Sequence, residues 1–166
     1  MIRRFGVWLL VLFALLGTVG CDQVTKHVAR SLLAGAPARS YLSDTIRLEY
    51  AENAGGFLSL GSTWSPMVRT ALLTIGTGAM LLILAGVALR SRLTVWSLLA
   101  AILFISGGAS NWLDRATRGS VVDFMNLGIG PLRTGIFNAA DVSILAGAAV
   151  FALVEIRHEL ARQRRE

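Results

Sequence analysis

The chain has 166 residues, of which 16 are Lys or Arg and 10 are Asp or Glu, giving a formal charge of +6. That length holds one compact unit, and an apolar share of 54% with a mean hydropathy of +0.62 excludes an ordinary soluble domain in favour of a chain solvated by lipid. The basic residues form no stripe with interleaved aromatics, which excludes nucleic-acid binding, and a single cysteine excludes an internal disulfide or a thiolate metal cluster.

The first predicted element covers about residues 5–21, with a helical continuation to about residue 33. It contains the stretch "LGTVGCDQVTK" from Leu16 to Lys26. Two readings compete there. In one, Arg3 and Arg4 begin a lipoprotein signal peptide that ends at Cys21. In the other, the segment is a retained membrane helix with Asp22 and Lys26 turned into the protein. The apolar run is at or beyond the upper limit of a signal-peptide core. Thr18 is also a weak stand-in for the leucine that a lipobox favours, so the retained helix is the expectation.

A loop of about residues 34–66 follows. In it "TIRLEYA" alternates apolar Ile46, Leu48 and Tyr50 with polar Arg47 and Glu49, the period of a strand. The glycines of "NAGGF" and "LSLG" read as turns. Two further spans are expected at about 67–89 and 93–112, since about 20 apolar residues suffice to cross a bilayer. They are joined only by Arg90-Ser91-Arg92. A second loop, about 114–135, carries the strand-like "VVDFMNLGIG", and a last span is expected at about 136–156. The fold class is therefore an integral membrane protein of four transmembrane helices in one domain over residues 1–166, with a small sheet outside the membrane.

Four crossings put Arg3, Arg4, Arg90, Arg92, Arg157, Arg162, Arg164 and Arg165 on one side, in short segments beside helix ends. By the positive-inside bias both termini are expected in the cytoplasm.

Charges at membrane depth are costly and by default mark a functional site. Asp22 and Lys26 are spaced i, i+4, which suits an interfacial helix salt bridge as well as a positioning role. Asn111, Asp114 and Arg115 project from one face of the third helix. Just before them "ISGGAS" permits close approach of a backbone, either for helix packing or for a substrate. Asp123 sits between apolar neighbours in "VVDFMN". Asn138 and Asp141 form a possible capping box at the start of the fourth helix. Taken together, Asp123 and Asp141 offer a carboxylate pair. Such a pair hydrolyses a peptide with water alone, the ionised member taking a proton from water and the protonated member donating one. No cofactor and no metal is expected. The competing functions are a small carrier or channel subunit lined by acids, and a lipoprotein anchored at Cys21.

The chain resembles the lipoprotein signal peptidase (signal peptidase II) family of membrane aspartic peptidases. The matching pieces are Asp22-Gln23-x-x-Lys26, Asn53-x-Gly55, Gly107-Gly108-x-x-Asn111-x-x-Asp114-Arg115, Val122-Asp123-Phe124 and Phe137-Asn138-x-Ala140-Asp141. They occur in the family's order over nearly the whole chain. The resemblance implies an outer β-cradle and a catalytic pair, Asp123 and Asp141. It implies that Asp22, Lys26, Asn53, Asn111, Asp114, Arg115 and Asn138 support the site or the substrate. It also implies diacylglyceryl-prolipoprotein substrates cut before the lipidated cysteine, contact with membrane lipids, and sensitivity to globomycin-type inhibitors. There are two departures. "NAGGF" brings Phe57 one residue closer to Asn53 than the family form, and Ser110 stands where Gly is common.

Overall fold

The computed structural model describes residues 2–164; Arg165, counted above among the basic residues, lies outside the described residues. The elements in chain order are α1 (Ile2–Leu33), β1 (Arg39–Tyr41), β2 (Ile46–Asn53), α2 (Pro66–Arg90), α3 (Val95–Arg118), β3 (Val121–Ile129), β4 (Leu132–Arg133) and α4 (Ala139–Gln163). The fold is mostly helical. Among the described residues α2, α3 and α4 are long and apolar enough to cross a membrane. The first expected segment is one unbroken helix of 32 residues, and its second half carries Asp22, Lys26 and Arg30.

Local chemistry fixes the helix ends. Pro66 occupies the first turn of α2 behind the cap Ser65, whose side chain accepts from the Val68 N–H. Proline there has no N–H to leave unpaired. Thr94 caps α3 by accepting from the Ser97 N–H. Expected only to about residue 112, α3 runs on to Arg118, because nothing before Gly119 breaks it. Gly119 takes the left-handed conformation at φ 76° and closes the last turn on the Arg115 carbonyl. Expected from about residue 136, α4 begins at Ala139, because Asn138 is its cap. Within α2, Thr70–Gly76 forms a wide π turn.

Strands β1 to β4 make one antiparallel sheet in sequence order. Both apolar pieces read from the sequence lie in its centre, with Ile46 opposite Leu127, Leu48 opposite Met125 and Ala51 opposite Asp123. The register shifts between Leu48 and Ala51. β1 and β4, of three and two residues, are too short for any periodicity to announce them. Phe137 adds a bridge to Met125, so the chain re-enters the sheet just before α4 begins.

Small residues hold the helices together, since lipid supplies no hydrophobic drive between them. A Cβ on Gly107 would lie 2.5 Å from the Ala140 carbonyl oxygen, and one on Gly147 would lie 2.7 Å from the Phe104 nitrogen. This seals α3 against α4. Leu81 of α2 fits over Gly108, and the Trp112 indole donates to the Thr74 carbonyl in the π turn at 3.0 Å. Large apolar side chains such as Leu82 and Leu145 point outward. The interior instead buries Asp22, Lys26, Ser110, Asn111, Asp114, Asp123 and Asn138.

Candidate active site

The buried polar residues converge where the end of α3, the start of α4, the second half of α1 and the start of β3 meet. Asp141 sits at the third position of α4 and Asn138 at its cap, and each closes on the other. The Asp141 N–H donates to Asn138 Oδ1 at 3.0 Å, and the Asn138 N–H donates to Asp141 Oδ2 at 3.0 Å. The capping box read from the sequence is present, and it leaves the Asn138 amide nitrogen free for other partners. That nitrogen donates to Asp123 Oδ1 at 2.6 Å and to Asn111 Oδ1 at 3.2 Å. Asn111 in turn donates to Asp141 Oδ1 at 2.9 Å. Asn138 therefore touches both aspartates, Asp123 by its side chain and Asp141 by its backbone, and Asn111 joins Asn138 to Asp141, although the two aspartates stand 18 positions apart in sequence.

Asp123 is reached from a strand that leaves α3 through Gly119. Val121 and Val122 are buried beside it, so alternation along β3 alone does not explain a carboxyl there. Its second oxygen accepts from Asn53 Nδ2 at 3.2 Å. Burial, the largest effect, and the nearby Asp141 charge push the Asp123 carboxyl up to about 6; the hydrogen bonds from Asn138 and Asn53 and the Lys26 charge act the other way. Asn53 is itself locked by accepting the Gly55 N–H at 2.9 Å and donating to the Gly56 carbonyl at 3.1 Å. Gly55 has no room for a side chain, since its Cβ would fall 2.6 Å from the Ser59 backbone. Arg115 donates to the Gly55 carbonyl at 2.7 Å and to the Asn111 carbonyl at 3.3 Å, pinning this loop to α3. The shortened "NAGGF" is therefore a tight turn anchored at both ends.

Behind the asparagines lies an ionic layer. Lys26 contacts Asp22 at 2.6 Å and Asp114 at 2.8 Å and donates to Asn111 Oδ1 at 2.8 Å. Its charge is thus compensated by two carboxylates, as a buried ammonium requires. Asp114 also accepts from Arg118 and from Gln23, the latter at 2.9 Å. Asp22 accepts the Ala140 N–H at 2.8 Å and the Ser110 hydroxyl at 2.7 Å. The spacing of Asp22 and Lys26 foretells only their mutual contact. Gln23, Ser110 and the Ala140 amide enter through contacts across 87 to 118 positions, with no local signal except the polarity of Gln23 and Ser110. Cys21 is exposed in the middle of α1, outside this layer.

A buried carboxyl whose proton is held up to about pH 6, beside a second carboxyl oriented by a helix cap, can carry out acid–base chemistry on a bound water. The family model described as Signal peptidase (SPase) II matches residues 14–157. Over 145 residues the chain is 37% identical to a lipoprotein signal peptidase of Hydrogenovibrio crunogenus, covering 83% of this chain and 82% of that one. Over 140 residues it is 31% identical to a lipoprotein signal peptidase of Chlorobium phaeobacteroides, covering 80% and 81%. A solved bacterial membrane enzyme shares the fold with a TM-score of 0.76 at 22% identity, over 87% of this chain and 90% of that one.

Proposed function

The chain belongs to the signal peptidase II family, and from this premise we propose that it is a membrane aspartic endopeptidase removing signal peptides from prolipoproteins, with Asp123 and Asp141 as the catalytic pair. One observation carries the assignment of the pair: Asn138 hydrogen-bonds both carboxyls, Asp123 through its side-chain amide and Asp141 through its backbone N–H. Asp123 holds the shared proton, favoured by its burial. Asp141 accepts a proton from the attacking water. The water adds to the scissile carbonyl, Asp123 protonates the leaving nitrogen, and the peptide bond breaks to a carboxylic acid and an amine. Arg115 and Asn53 line the approach and orient the peptide, while Asp22 and Asp114 hold Lys26, which holds Asn111 from behind.

The substrate on this reading is a diacylglyceryl-modified precursor, cut before the lipidated cysteine, with globomycin-type inhibitors occupying the same site. In this topology α1 is a fourth crossing and both termini are cytoplasmic. The pair then lies near the outer face of the inner membrane, beneath the sheet. The test is cleavage of a diacylated precursor by purified protein beside Asp123→Asn and Asp141→Asn. Each variant is expected to stay folded in membranes and to lose about 10²–10⁴-fold in rate, the usual share of general acid–base catalysis. Normal cleavage by either one rejects the pair.

A further inference from the structure

Ser110 is fully buried on α3, one residue before Asn111, and touches neither aspartate of the pair. Its hydroxyl has two partners, and their chemistry fixes its direction. Gln23 Nε2 lies 2.9 Å from Ser110 Oγ and 2.9 Å from Asp114 Oδ1. The Asp114 carboxylate only accepts, so the Gln23 atom between them is the donating nitrogen. Ser110 therefore accepts from Gln23, and its single proton goes to Asp22 Oδ2 at 2.7 Å. The other oxygen of Asp22 accepts the Ala140 N–H at 2.8 Å. Ala140 is completely buried, its carbonyl lies over Gly107, and the next residue is Asp141.

We propose that Ser110 is a positioning residue: its hydroxyl, aligned by Gln23, orients Asp22, which grips the first turn of α4 through the Ala140 amide and so sets where Asp141 is presented. The inference rests on the peptidase reading of Asp141. Without the hydroxyl, Asp22 Oδ2 retains only Lys26. Lys26 is also paired with Asp114 and donates to Asn111, so any movement of Lys26 is passed through Asn111 to Asp141 Oδ1. Both routes from Asp22, by backbone and by side chain, end on the same carboxyl.

The test compares wild type, Ser110→Ala and Ser110→Thr on a diacylated precursor peptide, with kcat and KM measured separately. Hydrogen exchange at the amides of residues 139–142 is read in the same samples. Ser110→Ala is expected to lower kcat about 5- to 20-fold with KM within twofold of wild type. Exchange should quicken at the start of α4 and stay unchanged in its middle, and Ser110→Thr should restore both. A purely structural role would lower the melting temperature without the selective fall in kcat or the local exchange. Gln23→Leu, at a half-buried position, frees the hydroxyl from its donor. It is read the same way where Ser110→Ala does not accumulate. Wild-type kcat together with wild-type exchange in Ser110→Ala or Gln23→Leu overturns the positioning role. A wild-type protein that cleaves nothing overturns the peptidase reading instead, while the exchange result still judges the grip on Ala140.

Discussion

Asn138 serves two structures with one side chain. Its oxygen caps α4, and its nitrogen holds Asp123 to Asn111. These roles separate by substitution. Asn138→Ser keeps a good capping oxygen and removes the nitrogen, whereas Asn138→Ala removes both; losing a cap costs about 1 kcal/mol. Both variants are expected to lose cleavage alike, while thermal unfolding in detergent shows the Ala variant to be the less stable. A second expectation follows from Asp123. With its carboxyl near 6 rather than 3.8, the acid proton is present below about pH 6 and is lost as the pH rises through it. The basic limb of kcat/KM should fall there, and that of kcat should lie higher, because bound substrate buries the group further. The same shift makes the group's contribution to folding stability full below pH 3.8 and lost as the pH rises through about 6. Asp123→Asn should flatten the melting temperature across that window. The sequence announced the cap and the isolated acid, because both are local patterns. It was silent on what Asn138 does with its nitrogen, since those partners come from α3 and β3.

At the level of elements, Gly107 decides how closely α3 and α4 approach. Gly107→Ala places a methyl 2.5 Å from the Ala140 oxygen, a backbone atom that moves only with α4. The expected result is about 1–3 kcal/mol of destabilisation, with a loss of cleavage larger than melting curves account for, since Asp141 is the next residue. "ISGGAS" advertised a close approach in the sequence, but not which backbone would arrive. The extension of α3 to Arg118 follows from the absence of any breaker before Gly119. The π turn of α2, by contrast, has no readable cause in "TALLTIG" and is met in space by Trp112.

At the level of the whole molecule, the proposed four-span topology is open to labelling. Cys21 is the one native cysteine, and Cys21→Ala is expected to remain active because the residue is exposed outside the buried layer. In that background, a membrane-impermeant thiol reagent added to intact cells from outside should label Ser43→Cys, in the turn between β1 and β2, and leave Ser91→Cys unlabelled until the membrane is opened. The reverse pattern would invert the orientation.

The ionic layer also bears on how such a chain enters a bilayer during synthesis. Lys26 emerges 85 residues before its partner Asn111, a delay of about 4–17 s at about 5–20 residues per second. Through that interval α1 is not left with a naked charge, because Asp22 neutralises Lys26 one turn away. On α3, Asp114 likewise has Arg118 within its own helix. On the proposed four-span topology, Lys26 and Asp114 thus each travel with a counterion on their own helix. The cross-helix contacts of Lys26 and Asp114 then form by exchanging partners between helices already inserted.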